Sequence, residues 1–493
     1  MSQTRCVTLV LGLDIGSTST KAVLVDVADD VTVLHIARAS TPTDAAELVA
    51  TAAALLRACV QAANRPVAAI GIASMAESGA ALRADGTPLT PLLRWDRAVD
   101  PRHLDDLLTR HPDLPSRTGL PATTKPAAVA LTALRREDAD VFTARRPWAG
   151  VADLVAHALT GVRATDHTLA ARTMLAGGRG DAWDAEVLGT VGIDVGTLPE
   201  LRAPGEPVAA TSDAAEAFGL PRGIPVYIAG HDHAVGAWAA GVRIHGAVAD
   251  SLGTAEAVVR VTADPDATAD GERGASAYRE GGGPAITASA VADGFAVGRT
   301  VDGTARTVLG GSRACGAMLE WWDAAHDGDE VRARLAALPA GPWPATSMTV
   351  LPYPSGRQCP VPRPGARAAV RGAVDDPAAR ARAVLEGLVF QARWMRETID
   401  ALVGSPARDV TVLGSLADRI PAWAPLIAAA GIPAFRTATT EPVAAGAALL
   451  AAVRAGEASA TVSLAREAVA PAQAPHLDHA YRRFLEAATE GDS

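Results

Sequence analysis

The stretch Leu11-Gly12-Leu13-Asp14-Ile15-Gly16-Ser17-Thr18-Ser19-Thr20-Lys21 places a carboxylate, a glycine and several hydroxyls at the end of an apolar run. Residues 7–13 predict one buried strand and residues 22–26 predict a second, so residues 16–20 form the turn of a hairpin. Backbone N–H groups near the glycine can approach phosphate oxygens, the hydroxyls can donate hydrogen bonds, and the carboxylate can face a metal. The stretch therefore predicts a hairpin that holds the phosphates of a nucleotide.

Composition limits the classes of protein that fit. The chain has 493 residues, 49% of them hydrophobic, which is enough for two or three domains with large cores. Its net charge of −10 argues against nucleic acid or an anionic membrane as the main partner. The four cysteines lie far apart and predict neither a disulfide framework nor a zinc site. Segments 7–13 and 443–453 are too short for a signal peptide and a membrane span, so we expect a cytoplasmic protein without a membrane partner.

Strand and helix patterns alternate along the first half of the chain and restart near residue 248. The patterns predict strands at 31–37, 67–73, 226–229 and 410–413, and helices at 45–63, 127–136, 152–159, 234–240 and 381–402. They also predict loops at 74–79, 177–207 and 262–285, a turn at 230–233, a helix around Trp423, and beyond 456 a polar tail with one amphipathic turn near 481–485. A second strand–turn–strand around Gly253-Thr254 resembles the first hairpin, which indicates two related α/β halves with a boundary near 241–247.

Several motifs follow one another in a set order. They are Asp14-x-Gly-x-Thr18, Gly230-His231-Asp232, Gly253-Thr254, Glu386-Gly387, and the strand–glycine turn at Gly414 with Gly446-Ala447-Ala448 beyond it. In this order the motifs resemble those of the FGGY family of carbohydrate kinases, over residues 8–455. The resemblance implies an α/β fold of two actin-like (ribonuclease H-like) domains with a deep interdomain cleft. It also implies ATP and Mg²⁺ as cofactors, a small sugar or polyol as substrate, and a possible homodimer.

The resemblance further implies a division of labour along the chain. Residues 1–243 would form the sugar-binding domain with the phosphate hairpin, residues 244–456 the nucleotide-binding domain, and residues 457–493 a tail. Asp232 would accept the proton of the attacking sugar hydroxyl, and Asp14 and Asp232 would hold the metal. The residues expected to contact ATP are Asp14, Gly16, Ser17, Thr18, Lys21, Gly253, Thr254, Gly414 and Ser415.

Fewer motif matches support the residues that are expected to bind the sugar. The loop at 74–79 aligns with the family's substrate loop, so Met75, Ala76 and Glu77 are candidate substrate contacts, together with Asp232 and His233. Glycerol kinases place an Arg-Glu pair at this point and xylulokinases a Met-His pair, so this chain matches the former at Glu77 and neither at Ala76. A carboxylate can accept two hydroxyl hydrogen bonds, as recognition of a polyol or sugar requires. The resemblance implies a kinase for a ketopentose such as xylulose, the commonest substrate type in the family; a short polyol (glycerol or a tetritol), supported by Glu77, and a sugar acid are the alternatives.

Each assignment has a structural rival. Asp14 could cap a turn, Asp232 could cap the helix that follows it, Lys21 could face solvent, and Glu77 could be a solvated loop residue. His231 is expected to support or pack, and a metal held by His231 and His233 is not expected, because alternate residues of a strand point apart.

The chain departs from the family pattern at two places, and two other functions are alternatives to a kinase. The family's Trp-x-Asp-x-Arg is compressed to Arg94-Trp95-Asp96-Arg97, and the adenosine turn is Gly414-Ser415-Leu416-Ala417, with a bulky Leu416. An actin-fold ATPase serving as a chaperone or scaffold, or a non-catalytic sugar sensor, are the rival functions.

Overall fold

A computed structural model of the chain describes residues 8–28, 30–144, 148–263, 283–326, 330–339 and 341–490. Its residues group into two compact units. Unit 1 comprises residues 1–241, 297–306 and 439–465, and unit 2 comprises residues 242–296, 307–438 and 466–493. Each unit is therefore assembled from three separate segments of the chain.

The strands are β1 (Leu9–Ile15), β2 (Ser19–Asp26), β3 (Thr32–Ser40), β4 (Val67–Ser74), β5 (Gly79–Ala81), β6 (Trp148–Gly150), β7 (Ala164–Asp166), β8 (Glu200–Arg202), β9 (Ala209–Ala210), β10 (Pro225–His231), β11 (Ala247–Leu252), β12 (Glu256–Thr262), β13 (Ala296–Arg299), β14 (Arg306–Ser312), β15 (Thr349–Leu351), β16 (Ala369–Arg371), β17 (Asp409–Leu413), β18 (Ala434–Thr437) and β19 (Arg466–Val469).

The α-helices are α1 (Ala45–Ala62), α2 (Arg102–Arg110), α3 (Leu114–Thr118), α4 (Ala127–Glu137), α5 (Ala139–Ala144), α6 (Val151–Thr160), α7 (His167–Ala171), α8 (Ala185–Val191), α9 (Asp213–Glu216), α10 (Asp232–Ala239), α11 (Gly283–Ala292), α12 (Gly316–Ala325), α13 (Val331–Ala337), α14 (Pro377–Val403), α15 (Ser415–Arg419), α16 (Trp423–Ala429), α17 (Pro442–Arg454) and α18 (Leu477–Thr489). A single 3-10 turn is described at Val195–Thr197.

Unit 1 is built on a mixed sheet with the order β3-β2-β1-β4-β10-β9. Strands β1 and β2 form the predicted antiparallel hairpin, with Leu9 opposite Asp26 and Ile15 opposite Thr20. Strand β4 pairs with β1 in parallel, and β10 pairs with β4 in parallel. The ends of β1, β4 and β10 therefore lie at one edge of the sheet, and the candidate site residues follow those ends.

Helix α17 packs against β1 and β4 of this sheet, although it comes more than 350 residues later in the chain. Two glycines permit the contact: a Cβ atom at Gly12 would collide with the carbonyl oxygen of Ala444, and one at Gly71 with that of Ala447. Because neither glycine has a side chain, the helix backbone lies directly on the strands. The small residues of α17 and the inner face of the sheet then form one buried core.

Unit 2 has a related sheet, in which β14, β12, β11, β17, β18 and β19 are neighbours in that order. Strands β11 and β12 form the second antiparallel hairpin, and β17 lies parallel to β11. The long helix α14 is largely buried along one side, as the predicted helix at 381–402 requires. The recurrence of hairpin and parallel strand in both units agrees with the duplication inferred from the sequence.

Several local predictions were wrong. Residues 230–233 are not a separate turn, because β10 continues through His231 and α10 begins at Asp232. The loop predicted at 177–207 contains α8 and β8, and residues beyond 456 are no polar tail, since β19 pairs with β18 and α18 buries Tyr481 and Phe484. Most of the loop predicted at 262–285 lies outside the described residues.

Among the described helices, one, α1, is long enough and apolar enough to cross a membrane. Its apolar face, which includes Leu48, Ala52 and Leu56, is buried and packs against β2 and β3. An apolar face of this kind is also what a helix covering a sheet needs.

Candidate active site

The β1–β2 hairpin carries a buried pair of opposite charges. Asp14 lies opposite Lys21 in the register of the hairpin, and Lys21 Nζ is 3.1 Å from Asp14 Oδ2. The same ammonium is 3.5 Å from Glu441 Oε2, just before α17. The negative charge of Asp14 raises the pKa of Lys21, and the charge of Glu441 adds to the effect. Lys21 therefore faces the carboxylates of the hairpin and of α17, rather than solvent.

The turn of this hairpin is held through its carbonyl groups. The N–H of Gly16 donates to the Ser19 carbonyl at 3.2 Å, and the Thr41 hydroxyl donates to the Gly16 carbonyl at 2.7 Å. Arg94 Nη1 donates to the Ser17 carbonyl at 2.8 Å, and the N–H of Thr41 donates to the Thr18 carbonyl at 3.0 Å. Contacts from later in the chain thus fix the shape of residues 16–18, which a phosphate-binding turn needs in order to be preorganised.

Asp232 is the first residue of α10, and the preceding backbone is held by α7. Gly230 has φ of +127°, and a Cβ atom there would lie 2.5 Å from Thr168 Oγ1. The N–H of His231 donates to that same Oγ1 at 2.9 Å. Thr168 is held in turn by Asp166, whose carboxylate accepts the Thr168 N–H at 2.8 Å. The end of β10 is therefore fixed before Asp232 begins the helix.

The charge of Asp232 is controlled by burial and by its neighbours. Burial raises the pKa of Asp232, the positive charge of His233 opposes this rise, and the negative charge of Asp14 adds to it. The N–H of His233 donates to Asp232 Oδ1 at 2.7 Å, which anchors the carboxylate. Burial lowers the pKa of His231 well below its usual value, with Arg172 contributing, so that this imidazole is neutral near pH 7.

The two histidines that flank Asp232 point toward its carboxylate. His231 Nε2 lies 3.2 Å and His233 Nε2 4.0 Å from Asp232 Oδ1, and the imidazole rings are edge to face with centroids 5.4 Å apart. The expectation that these side chains point apart was wrong. Residues two apart on a strand lie on the same face, and here the chain changes from strand to helix between His231 and Asp232.

The substrate loop lies between β4 and β5. Met75 and Ala76 are buried, and Glu77 adopts a left-handed backbone conformation with φ of +60°. Its carboxylate is not solvated: Arg172 Nη2 lies 2.8 Å from Glu77 Oε1, and the Glu77 side chain is 9% exposed. A left-handed conformation at a non-glycine residue costs about 1 kcal/mol or more and persists where surrounding contacts impose it. The Arg172 pair is such a contact.

Further cations lie near this loop. Lys125 Nζ is 5.1 Å from the centre of the Trp95 ring, and Arg94 pairs with Asp96 at 3.0 Å. Burial lowers the pKa of Arg97 to about 10, although the charges of Glu77 and Asp96 act in the opposite direction. The chain contains two lysines: Lys21 lies beside the candidate residue Asp14, and Lys125 lies over the ring of Trp95.

The candidate nucleotide residues of unit 2 also lie together. The N–H of Gly253 donates to the Ala255 carbonyl at 2.9 Å, and the N–H of Ala317 donates to the Thr254 carbonyl at 3.0 Å. Gly414 has φ of +106°, and a Cβ atom there would collide with the carbonyl oxygen of Leu252, directly before Gly253. Ser415 begins α15, and its Oγ accepts a hydrogen bond from Arg419. Leu416, whose bulk was a departure from the family pattern, is buried.

Two carboxyl groups are buried behind this second hairpin. Burial raises the pKa of Asp250 to about 7 and that of Glu256 well above its usual value, and the charge of Asp250 adds to the shift of Glu256. Among the described residues, neither oxygen of Glu256 has a hydrogen-bond partner. Both groups are therefore neutral acids at mildly acidic pH, which makes them structural residues of the strands.

Comparison with models of protein families identifies the family of the chain. The model of the FGGY family of carbohydrate kinases, N-terminal domain, matches residues 9–239, and the corresponding C-terminal domain model matches residues 251–455. The chain belongs to the FGGY family of carbohydrate kinases. A xylulose kinase of Streptomyces rubiginosus is 30% identical over 53% of this chain and 57% of its own length. A glycerol kinase of Cereibacter sphaeroides is 29% identical over 91% of this chain and 90% of its own length.

Solved structures show the same FGGY fold. A crystal structure titled as a xyloylose kinase from Brucella ovis has a TM-score of 0.81 at 22% identity, and covers 98% of this chain and 100% of that chain. The gluconate kinase from Lactobacillus acidophilus has a TM-score of 0.79 at 18% identity, with 99% of both chains covered. The two-domain actin-like fold expected from the sequence is thereby confirmed.

The FGGY motifs indicated candidate site residues but not the residues that contact them. Within unit 1 the charges of Asp14 and Lys21 both affect the pKa of Asp232. Glu77 forms an ion pair with Arg172. Four residues that sequence reasoning did not assign complete the arrangement: Thr168, Arg172, Lys125 and Glu441. Thr168 and Arg172 both lie within the stretch from Thr165-Asp166 to Arg172-Thr173, which resembles the family pattern, so a signal was present for these two residues. For Glu441 it was absent, since the contact joins residues 420 positions apart.

Proposed function

We propose that this FGGY family member transfers the γ-phosphate of ATP to a hydroxyl of a ketopentose such as xylulose, with Asp232 as the general base. One observation carries the proposal. The carboxylate of Asp232 lies within electrostatic reach of Asp14 and Lys21, which belong to the phosphate hairpin of the same unit. A base and a phosphate-binding turn in one place are what phosphoryl transfer to an alcohol requires.

The proposed chemistry needs little from the protein besides positioning. The sugar hydroxyl loses its proton to the carboxylate of Asp232 as its oxygen bonds to the γ-phosphorus and the bond to the ADP oxygen breaks. Burial favours this base, because a raised pKa brings the proton affinity of the carboxylate closer to that of the developing sugar alkoxide. The nucleotide contacts proposed are Asp14, Gly16, Ser17, Thr18 and Lys21 in unit 1, and Gly253, Thr254, Gly414 and Ser415 in unit 2.

The donor set of unit 1 fits Mg²⁺. The ion prefers carboxylate oxygens together with waters and substrate phosphates. Asp14 and Asp232 repel each other, as the effect of Asp14 on the pKa of Asp232 shows, and a dication would relieve this repulsion. We propose these two residues as the ones that would hold it, where it would neutralise phosphate charge.

The acceptor is proposed to lie against Met75, Ala76, Glu77 and His233. Similarity to a xylulose kinase supports a ketopentose, and similarity to a glycerol kinase supports a short polyol. The Glu77–Arg172 pair favours the polyol alternative, because a fixed carboxylate can accept two hydroxyl hydrogen bonds. The cations Arg97 and Lys125 near the same loop favour the other alternative, a sugar acid.

The remaining assignments are part of the same proposal. Unit 1 would bind the sugar and unit 2 the nucleotide; the sequence-based division into residues 1–243, 244–456 and a tail at 457–493 differs from these units in its boundaries. We also propose a cytoplasmic location, no membrane or nucleic-acid partner and a possible homodimer. The net charge of −10 supports the absence of polyanionic partners.

The test is ADP release, coupled to a reporter enzyme, against ketopentoses, aldoses, tetritols, glycerol and sugar acids. We expect one compound to stimulate turnover. Asp232→Asn should lower that turnover by about 10²–10⁴-fold, whereas Asp140→Asn, at an exposed position of α5, should leave it unchanged. Binding of ATP and sugar without turnover would favour the sensor, and ATP hydrolysis without any sugar response would favour the chaperone-type ATPase.

A further inference from the structure

We propose that His231, Asp232 and His233 form a binding site for a transition-metal ion such as Zn²⁺, which would share Asp232 with the proposed Mg²⁺ site but would add two nitrogen ligands. One donor atom from each residue lies within 4.8 Å of the other two. The closest pair, His231 Nε2 and Asp232 Oδ1, is 3.2 Å apart. Donors around a tetrahedral zinc ion at about 2.0–2.1 Å lie roughly 3.3 Å from each other, so this pair already has the required spacing.

The third donor needs only a small movement. His233 Nε2 lies 4.0 Å from Asp232 Oδ1, and the two imidazole rings are edge to face. The proposed site requires a side-chain movement of His233 that brings this nitrogen nearer to Asp232 Oδ1, with the backbone in place. That backbone is fixed by the Thr168 contact before it and by the His233 N–H, which donates to Asp232 Oδ1 at 2.7 Å.

The donor set selects the kind of ion. Imidazole nitrogens bind Zn²⁺, Co²⁺, Ni²⁺ and Cu²⁺ far better than they bind Mg²⁺, which prefers an all-oxygen shell. Two imidazoles and one carboxylate supply three protein ligands and leave a position for water or a substrate hydroxyl. The side chains of Asp232 and His233 are 19% and 22% exposed, so an ion can reach them from solvent.

Occupation of this site would have a consequence for turnover. A metal bound to the carboxylate of Asp232 competes with the proton of the sugar hydroxyl for the same oxygen lone pairs. We therefore expect micromolar-range transition metals to inhibit. This inhibition rests on the proposed function, whereas the binding itself does not.

The binding experiment uses the full chain without a histidine tag, freed of metal by a chelator, in the absence of ATP and sugar. Co²⁺ is added first, because its visible absorption reports nitrogen and oxygen ligands, and Zn²⁺ is then measured in competition with a chromophoric chelator. We expect one Zn²⁺ per chain, and His231→Gln and His233→Gln should each weaken binding by at least about tenfold. His111→Gln is the matched control, because His111 in unit 1 bonds to the hydroxyl of Thr190.

The outcomes separate cleanly once circular dichroism has shown each variant to be folded. Weakened binding in both site variants with no change in His111→Gln supports the site. Equal binding in all four proteins, or no visible Co²⁺ absorption with the wild type, overturns it. Neither result bears on sugar-dependent ADP release, so failure of this inference leaves the kinase proposal to be judged by its own assay.

Discussion

Asp232 depends on a neighbour that is distant in sequence. Thr168 Oγ1 accepts the N–H of His231, and Asp166 holds Thr168 in place. We expect Thr168→Val to lower kcat for the sugar about tenfold to hundredfold, because removal of the acceptor frees the backbone that positions the base. Steady-state kinetics on the substrate found in the panel measures this effect.

Thr168→Ser is the matched control, since it keeps the hydroxyl and loses only a methyl group. It should retain most of the wild-type kcat. An equal loss in the Ser and Val variants would show that the methyl group, and not the hydrogen bond, supports Asp232.

The raised pKa of Asp232 predicts a pH profile. A base must be deprotonated to act, so kcat/KM should fall as the pH drops through the pKa of Asp232. Burial and the charge of Asp14 place that fall above the usual range of an aspartate, about 3.9. Measurement of kcat/KM across the stable pH range checks this, and a limb at the ordinary aspartate value would contradict the buried geometry.

Single residues were predicted from sequence where a short motif carries them. Asp14 lies near the end of β1 and Asp232 directly follows β10, each two residues from a glycine, and this local pattern is visible in the chain. Arg172 and Glu441 were missed because tertiary contacts bring them to Glu77 and Lys21, and no spacing in the sequence encodes those contacts.

At the scale of elements, the position of α17 depends on missing side chains in the strands below it. A Cβ atom at Gly71 would collide with the carbonyl of Ala447. Gly71→Ala should therefore lower the free energy of unfolding by about 3 kcal/mol or more, because a backbone atom cannot move aside as a side chain can. Urea unfolding followed by circular dichroism gives this value.

Gly189→Ala tests whether the cost comes from the collision. Gly189 lies within α8, and a Cβ atom there meets nothing within 4 Å. This variant should be as stable as the wild type or up to about 1 kcal/mol more stable, because alanine favours a helix. A loss like that of Gly71→Ala would refute the steric explanation.

Helix α6 carries a buried acid that predicts a dependence of stability on pH. Asp153 Oδ2 accepts the Gly150 N–H at 2.8 Å, and burial raises the pKa of Asp153 from 3.8 to about 7. The folded chain therefore binds a proton that the unfolded chain lacks between these values, and stability falls as pH rises from about 4 to 7.

Asp153→Asn removes this titration while keeping the acceptor for Gly150. Between pH 4 and 8 the stability of the variant relative to wild type should rise by up to about 4 kcal/mol. Asp140→Asn, at an exposed position, should show no such trend. Urea unfolding at several pH values measures both, and parallel pH curves for wild type and Asp153→Asn would contradict the assignment.

The long periodic elements were predicted to within a few residues, as with α1, β4 and α14. The wrongly predicted elements are those whose polar composition suggests a loop or tail although contacts with distant strands make them regular structure. The polar surface of the C-terminal segment suggested a tail, but β19 completes a sheet edge and α18 buries one apolar stripe. The polar Gly-His-Asp run suggested a turn, whereas strand β10 passes directly into helix α10.

On the scale of the whole molecule, the chain passes between the two units at 241/242, 296/297, 306/307, 438/439 and 465/466. A fragment of residues 1–243 lacks α17, which covers β1 and β4 in unit 1. We expect this fragment to bind a hydrophobic dye strongly and to unfold without a sharp transition, in contrast to the full chain. A compact, dye-free fragment with cooperative unfolding would contradict the expectation.

The duplicated organisation could be predicted because both hairpins repeat one pattern of residues. The assignment of residues 297–306 and 439–465 to unit 1 could not be predicted, because no pattern within these segments indicates which sheet they pack on. Their destination depends on contacts such as Trp238 Nε1 with Asp302 Oδ2, at 2.9 Å, that join remote parts of the chain.

The interleaving of the segments also sets an order of events during synthesis. The first sheet emerges from the ribosome early, but the helix that covers Gly12 and Gly71 is translated only at residues 442–454. At about 5–20 residues per second, that delay amounts to tens of seconds. During this time the apolar face of β1 and β4 lacks the helix that covers it in the folded chain.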